Sequence, residues 1–109
     1  MTELSLCMIV KNEEERLARC LSSVQGAVDE IIILDTGSTD GTKDVASRFT
    51  QRVYDYAWDD DFSAARNASF AYATRPFILW LDADDVMERS EREKLMALKA
   101  RLTADVDAV

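Results

Sequence analysis

The stretch that most constrains the fold is an apolar run that ends in acids, Phe77 to Asp85 (FILWLDADD). Its five apolar residues have the length of a β-strand, and the run begins directly after Pro76, the only proline of the chain. A continuous apolar run of this kind is typical of a strand buried on both faces, as in a parallel sheet covered by helices. We therefore expect an α/β fold with this strand in the interior of the sheet.

Three carboxylates follow at the end of this predicted strand, at Asp82, Asp84 and Asp85. Ligands of open α/β sheets bind outside the carboxyl ends of the strands. Neighbouring carboxylates repel one another, so a cation normally accompanies them, and oxygen ligands favour a hard divalent ion such as Mg²⁺ or Mn²⁺. The alternative interpretation is a solvated acidic turn in which Asp85 caps the next helix.

The composition limits the size and the class of the protein. With 109 residues, of which 48% are hydrophobic and 31% charged, the chain is at most one small domain that can bury a core. A net charge of −8 argues against a nucleic-acid-binding surface, which needs a basic stripe. The absence of histidine excludes Ser-His-Asp triads, Cys-His pairs and histidine metal sites within these residues.

The cysteines and the apolar segments favour a cytoplasmic protein. Cys7 lies in a predicted strand and Cys20 on the apolar face of a predicted helix, so we expect two buried free thiols rather than a disulfide. The run Leu4–Val10 is too short and too acid-flanked for a signal peptide, and no run reaches membrane-spanning length.

Apolar periodicity predicts strands that alternate with helices. The strands are expected at Leu4–Val10, Glu30–Asp35, Arg52–Tyr56 and Phe77–Leu81, of which Arg52–Tyr56 alternates and so lies near the sheet edge. The helices are expected from Asn12 to Val24, from about Thr42, from Ser63 to Ala73 and from Ser90 to about Leu102. This order predicts a parallel sheet with right-handed crossovers, and residues 104–109 are compatible with the start of a fifth strand.

Capping signals stand at the predicted helix starts. Candidate caps are Asn12, with Glu15 as its capping-box partner, then Asp40 or Ser38, the acidic run 59–61, and Ser90 with Glu93. The first helix is expected to bury Leu17, Cys20, Leu21 and Val24, which follow helical spacing. In the last helix, the inward residues are expected to be Leu95, Leu98 and Leu102.

A second strand also ends in an acid, Asp35. If this strand neighbours the fourth across a topological switch point, Asp35 and the acids at 82–85 would form one site. The turn Thr36–Gly41 could present backbone N–H groups to an anion, although glycine is common in such turns. Arg66, early in the third helix, either pairs with the preceding acids or points into a pocket and meets a phosphate.

Four segments together resemble glycosyltransferase family 2 enzymes, and in particular the bacterial lipopolysaccharide glucosyltransferase-like subset. They are LSLCMIVKNEEERLARCLSSV, VDEIIILDTGSTDGT, FSAARNASFAYA and FILWLDADD. The resemblance extends from Leu4 to about Leu102. Each motif is moderately specific, whereas several in the right order at compatible spacing are strong evidence.

The resemblance implies a GT-A fold, a Rossmann-like, largely parallel sheet with flanking helices. It implies a nucleotide-sugar donor, usually a UDP-sugar, and a divalent metal, Mn²⁺ or Mg²⁺, at a D-x-D motif. The segment Asp82-Ala83-Asp84, followed by Asp85, matches that motif. By resemblance this segment contacts ribose and metal, with Asp84 the first candidate for metal ligand.

Other positions match donor-binding positions of the family. Asp35 matches the acid that contacts the nucleoside, and Arg66 matches a basic position that reaches the nucleotide. The loop that lines the base and ribose pocket corresponds to Val10, Lys11 and Asn12. Thr36 stands where many members have a second acid, so the chain departs from the family pattern at this base or ribose contact.

The family's catalytic base lies well after D-x-D, in the acceptor half. The resemblance therefore implies that residues 1–109 are the donor-binding half of a GT-A domain, inactive without the acceptor half, which is absent. The whole enzyme would transfer a sugar, with inversion, to a glycan, lipid or protein acceptor that the sequence does not identify, and the acceptor could place it at the inner face of the membrane. A truncated sheet exposes an apolar edge, so we also expect self-association.

Three other functions stay open at this point. A non-catalytic fragment that binds nucleotide or metal fits the absence of an acceptor half. A nucleotidyltransferase shares the fold style, but it would typically have a glycine-rich loop after the first strand, and Lys11–Glu15 contains no glycine. A phospho-acceptor signalling domain usually has a lysine after a late strand, and none lies between Phe77 and Arg89.

Overall fold

The computed structural model describes residues 3–83 and 87–104, the last six of them by their backbone alone. Within these residues strands and helices alternate in the predicted order. The strands are β1 (Leu4–Val10), β2 (Glu30–Asp35), β3 (Val53–Asp55) and β4 (Phe77–Trp80). The helices are α1 (Glu14–Val24), α2 (Thr42–Ser47), α3 (Phe62–Tyr72) and α4 (Arg89–Ala104).

The strands form one parallel sheet in the order β3-β2-β1-β4, which confirms the predicted fold class. The chain builds outward from β1 to β3 and then returns to the other side of β1, so the topological switch point lies between β1 and β4. Val10 pairs with Asp35, and therefore β1 and β2 end level with each other. The pairing of β4 with β1 ends earlier, at Cys7 and Trp80.

The core lies between the sheet and α1. Strand β1 is almost wholly buried, and α1 buries the four residues that its periodicity predicts: Leu17, Cys20, Leu21 and Val24. Each such leucine contributes about 1.5–3 kcal/mol by leaving water. Both cysteine side chains are buried, as expected. Burial, followed by the nearby charge of Glu30, raises the pKa of Cys7 to about 11, so this thiol is unreactive at neutral pH.

The prediction that Phe77–Leu81 is an interior strand is wrong among the described residues. In the part of the chain that the structure describes, strand β4 lies at the sheet edge, pairs only with β1, and leaves Ile78 41% exposed. The apolar residues of β4 instead make two different kinds of contact. Leu79 packs against the core, whereas the Trp80 ring meets Phe62 and Phe70 edge-on, with ring centroids 6.0 and 5.7 Å apart. Strand β3 lies at the opposite edge, as predicted, and is shorter than expected.

The helix starts agree with the capping signals only in part. Asp61 caps α3, with its carboxylate accepting the N–H of Ala64 at 3.0 Å, as the acidic run predicts. Helix α2 has Gly41 at its N-cap position and therefore no side-chain cap. Asp40, the residue before Gly41, nevertheless accepts the N–H of Thr42. The prediction of Ser90 as a cap is wrong, because Ser90 already lies inside α4.

Helix α4 packs less closely than its leucines predict. Leu98 is 45% exposed, so its expected inward position is wrong, while Leu95 is half-buried. The side chain of Leu102 lies outside the described residues. Ala104 ends α4 rather than opening a fifth strand, and residues 105–109 also lie outside the described residues. In the described part of the chain, no helix is long and apolar enough to cross a membrane.

Candidate donor site

The loops that follow β1 and β2 are joined at the carboxyl edge of the sheet. Thr36 donates its backbone N–H to the carbonyl oxygen of Val10 at 3.0 Å and its hydroxyl to the same oxygen at 3.3 Å. Further along, the N–H of Glu13 donates to the hydroxyl oxygen of Thr42 at 2.8 Å. These bonds fix the first loop on the second, where ligands of such sheets bind.

Asn12 joins the same two loops and does not cap α1. Its backbone N–H donates to the hydroxyl of Ser38 at 2.9 Å, and its side-chain oxygen accepts the N–H of Thr39 at 2.8 Å. Its φ of 53° is left-handed, a conformation that asparagine adopts more readily than most residues. Helix α1 begins at Glu14 without a side-chain cap, so the predicted capping box is wrong.

Asp35 is buried at the end of β2 with one oxygen atom unpaired. Its Oδ1 atom accepts the N–H groups of Gly37 and Ser38 at 2.9 and 2.8 Å. Its Oδ2 atom is also buried and has no hydrogen-bond partner among the described residues. An unsatisfied buried acceptor costs about 1–3 kcal/mol, and more when it is charged. A ligand that brings an N–H or O–H donor would remove this cost.

A cleft of about 270 Å³ is lined by the strand partner and the chain neighbour of Asp35, Val10 and Thr36, whereas Asp35 itself does not line it. The structure brings three predicted donor-binding residues together in its wall, Val10, Lys11 and Thr36. The rest of the wall is formed by Ile9, Glu13, Trp58 and Phe62. An apolar cleft with a few polar groups and one cation suits a planar ring that carries a negatively charged tail.

Two aromatic residues of this cleft, Trp58 and Phe62, were not predicted as site residues. They are 43% and 48% exposed. The indole N–H of Trp58 donates to Asp60 at 3.1 Å, which orients the ring. The sequence signal that could have identified them is a pair of aromatic residues that flanks an acidic run directly after a strand.

Arg66 lies next to the cleft without lining it. The guanidinium carbon is 5.8 Å from the ring centroid of Phe62, within the range of a cation–π contact. Phe62 in turn meets the ring of Trp80 edge-on, so Arg66 lies over an aromatic cluster that reaches β4. The Arg66 guanidinium is exposed, and it lies close enough to the cleft to contact an anionic ligand there.

The acidic segment after β4 is described only in part. Asp82 is exposed and Ala83 is buried in the core, while Asp84 and Asp85 lie outside the described residues. Their metal-binding role therefore stays a prediction. Within the described residues, no group of three or more Asp, Glu, Cys or His side chains could hold a metal ion.

Asp35 and Asp82 do not follow adjacent strands. The expectation of one acidic site required β2 and β4 to be neighbours, but β1 lies between them. Two strand spacings separate β2 from β4 by roughly 10 Å across the sheet, and β4 also ends earlier along the sheet than β2 does. The two acids therefore flank the end of β1, and one extended ligand could reach both.

The surroundings of the cleft are acidic. A second hollow of about 280 Å³ lies nearby and is lined by Asn12, Glu13, Glu14, Glu15, Arg16 and Asp40. The hydroxyl of Thr42 donates to the carboxylate of Asp40 and lowers the pKa of the Asp40 carboxyl. Asp40 is therefore fully charged at neutral pH. An anionic ligand in the cleft therefore needs a cation beside it.

Residues 5–109 match glycosyl transferase family 2. A TPR repeat-containing protein of Synechococcus elongatus is 53% identical over 85 residues, 78% of this chain and 21% of the relative. The SPbeta prophage-derived glycosyltransferase SunS of Bacillus subtilis is 40% identical over 90 residues, 81% of this chain and 21% of the relative. The lipopolysaccharide core biosynthesis glycosyltransferase LpsC of Rhizobium meliloti is 30% identical over 105 residues, 89% and 37% of the two chains.

Solved structures of glycosyltransferases show the same fold. TarS of S. aureus in complex with UDP has a TM-score of 0.72 at 20% identity, over 94% of this chain and 32% of that chain. Glucosyl-3-phosphoglycerate synthase of Mycobacterium tuberculosis, in complex with Mg²⁺ and UDP, has a TM-score of 0.67 at 25% identity, over 78% and 34%.

This chain thus spans about a fifth of the length of the Synechococcus and Bacillus relatives and about a third of the length of these two solved structures. The topology is the GT-A topology that the resemblance implies. With its family match over residues 5–109, the chain belongs to glycosyl transferase family 2.

Proposed function

We propose that these residues are the donor-binding half of a GT-A glycosyltransferase and that the cleft beside Asp35 holds the UDP part of a UDP-sugar. The observation that carries this proposal is the cleft of Val10, Lys11 and Thr36, together with the unpaired, buried Oδ2 atom of Asp35, which pairs with Val10 and precedes Thr36. The UDP in the mycobacterial synthase, which is 25% identical, supports it.

The base would occupy the apolar part of the cleft. Uracil has one ring N–H, which is the donor that the carboxylate of Asp35 lacks. The exposed ring of Trp58 offers a surface for stacking, and Phe62 forms part of the same wall. Stacking of a base on an aromatic side chain is worth about 1–3 kcal/mol. The loop contacts of Asn12 hold this part of the cleft in place.

The diphosphate would extend toward the end of β4, with the cations Lys11 and Arg66 on its way. The oxygen ligands of Asp82, Asp84 and Asp85 have the chemistry that Mg²⁺ or Mn²⁺ requires, and Asp84 is the first candidate for direct contact. A divalent ion held there would neutralise the diphosphate and stabilise it as the leaving group. Lys11, which lines the cleft, would offset part of the repulsion from Glu13.

The whole protein would transfer the sugar with inversion. An acceptor hydroxyl attacks the anomeric carbon, the bond from that carbon to the diphosphate oxygen breaks, and a carboxylate takes the hydroxyl proton. We expect this base outside residues 1–109, and we place the glycan, lipid or protein acceptor there as well. The role of the present residues is to bind and orient the donor.

Calorimetric titration with UDP, with and without Mn²⁺, tests this function. We expect binding that Mn²⁺ strengthens and that Asp84→Asn weakens in the presence of Mn²⁺ only. UDP methylated at N3 of the uracil ring is the matched control ligand, because its base has no N–H to donate to Asp35. Equal binding of UDP and this analogue would overturn the assigned role of Asp35, and absence of UDP binding in the full-length protein would overturn the donor site itself.

A further inference from the structure

One residue in the loop between β3 and α3 has a left-handed backbone. Asp60 has a φ of 61°, and within the described residues only Asn12, with a φ of 53°, shares this region without being glycine. A residue other than glycine keeps such a conformation only where neighbouring contacts stabilise it, and residues of this kind cluster at functional sites. Asn12 joins two loops with its contacts, whereas the side chain of Asp60 contacts a residue in the wall of the cleft.

The Asp60 carboxylate holds the indole ring of Trp58. Its Oδ1 atom accepts the indole N–H at 3.1 Å. Trp58 is exposed and lines the cleft together with Phe62. The Phe62 ring is supported by its edge-on contact with Trp80, whereas within the described residues the Trp58 ring makes no such contact with another ring. The hydrogen bond to Asp60 is therefore the contact that orients this part of the wall.

The loop that carries both residues is fixed at its two ends. At its start, Tyr56 donates its backbone N–H to the carbonyl oxygen of Asp35 at 2.8 Å. At its end, Asp61 caps α3 and donates its own N–H to the carboxylate of Asp59 at 3.3 Å. Asp60 therefore lies on a frame that joins the end of β2 to the start of α3, which gives its carboxylate a defined place from which to hold the indole ring.

We propose that Asp60 is a positioning residue for the nucleotide base: it holds the Trp58 ring, before the ligand arrives, in the orientation that lines the cleft. The inference rests on the proposed function, which stacks the base on this ring. A side chain that must be immobilised on binding lowers the affinity, and a ring that is already held avoids most of that loss. The charge of Asp60 repels an anionic ligand, so its direct electrostatic effect on UDP binding has the opposite sign from its effect through the ring.

Two substitutions of Asp60 separate the hydrogen bond from the charge. Asp60→Asn removes the charge, keeps an acceptor oxygen and tolerates the left-handed backbone. Asp60→Gly removes the same charge and the acceptor, and it also permits that backbone. The two variants therefore differ in the bond to Trp58, and Asp59→Asn is the matched control for the loss of one charge in this loop. Calorimetry measures the UDP affinity, and NMR measures the indole N–H signal of Trp58, which Trp58→Phe identifies.

We expect Asp60→Gly to move the indole N–H signal of Trp58 upfield and to weaken UDP binding about three- to fivefold, the loss expected when one side chain must be ordered on binding. Asp60→Asn and Asp59→Asn should keep the wild-type signal and bind UDP at least as tightly as wild type. In a Trp58→Phe background, which has no indole N–H, Asp60→Gly should cause no further loss of UDP affinity.

The other outcomes separate this inference from the proposed function. A shifted indole signal with unchanged or tighter UDP binding in Asp60→Gly would overturn the positioning role and leave the donor site standing. An unshifted signal would overturn the contact itself. A loss of affinity that persists in the Trp58→Phe background would assign the effect to the loop backbone and so overturn the role of the hydrogen bond. Absence of UDP binding in the full-length wild-type protein would instead overturn the proposed function, and this inference with it.

Discussion

Thr36 donates twice to the carbonyl oxygen of Val10, through its backbone N–H and its hydroxyl. The hydroxyl of Thr36 is thus turned toward the neighbouring strand end, while the residue also lines the cleft. We expect Thr36 to support the cleft by tying the ends of β1 and β2 together.

Thr36→Val removes the hydroxyl and keeps the backbone bond to Val10. We expect a loss of about 1 kcal/mol in the free energy of unfolding, since one buried hydrogen bond is lost and its acceptor keeps a second donor. UDP affinity should fall less than about fivefold, which corresponds to that same energy or less. Urea denaturation and calorimetry measure the two effects, and a large loss of affinity without loss of stability would instead indicate direct contact with the ligand.

Asp35→Asn should change stability and binding in opposite ways. The unfolding free energy should stay equal or increase, because a buried, unpaired charge is removed and Gly37 and Ser38 keep an acceptor. UDP affinity should fall by about 10–100-fold, equivalent to about 1.4–2.7 kcal/mol. The reason is that the asparagine would place an NH₂ donor, instead of an oxygen acceptor, opposite the N–H of the base.

Asp55→Asn is the control for this substitution, since Asp55 also ends a strand but is exposed and pairs with Lys43. It should leave UDP binding unchanged. Unchanged UDP binding in Asp35→Asn would contradict the role of the unpaired oxygen.

Trp58→Ala should weaken UDP binding about tenfold, because the base loses its stacking surface. Wild-type tryptophan fluorescence should change on UDP binding, and Trp58→Phe should abolish most of that change, leaving the signal of Trp80. Leu98→Ala, another exposed apolar side chain on a distant helix, is the control. Binding that is insensitive to Trp58→Ala would place the base elsewhere.

Glu30 should make stability depend on acidic pH. Burial alone would raise the pKa of this carboxyl, but hydrogen bonds from Thr74 and Ser5 and the charge of Arg52 lower it from 4.5 to about 2. Since the folded-state pKa is depressed, the stabilisation is present above pH 4.5 and is lost as the pH falls from about 4.5 to about 2.

Glu30→Gln should therefore cost about 2–3 kcal/mol at neutral pH and flatten the pH dependence of the unfolding free energy over that window. Glu3→Gln is the comparison, because Glu3 pairs with Arg75 at the surface and should contribute little. A steep pH dependence that persists in Glu30→Gln would assign the effect to another carboxyl.

Self-association of the 109 residues is expected through the edge of β4. No described strand pairs with its outer side, and Ile78 is 41% exposed there. Ile78→Lys should shift the sedimentation profile toward monomer, because a charge blocks edge-to-edge pairing. A wild-type protein that sediments as a monomer at all concentrations would contradict this expectation.

The spacing of apolar residues predicted the helices and strands that depend on contacts between residues close in sequence. The buried face of α1 follows from the spacing of its apolar residues. The resemblance to family 2 enzymes, rather than local pattern, singled out Val10, Lys11 and Thr36, which the structure brings together in one cleft, and their contact with a donor stays a prediction.

The errors arise where a partner is distant in sequence. Asn12 has the form of a cap, but its partners Ser38 and Thr39 lie 26 and 27 residues away. The apolar run of β4 cannot reveal that this strand has one neighbour among the described strands, because strand pairing is non-local. Trp58 was missed because an aromatic residue that lines a cleft looks, in one sequence, like one that fills a core.

The position of β1 between β2 and β4 also sets an order of assembly during synthesis. Leu6 in β1 pairs with Ile31, which is synthesised soon after it. On its other side Leu6 pairs with Leu79, which is synthesised much later. On the ribosome, β1, β2 and β3 can therefore pair before β4 emerges, since domains form as their contacts become available. The loop contacts around Val10 and Thr36 would be in place first, and the acids that follow Trp80 would be the last part of the site to reach the sheet.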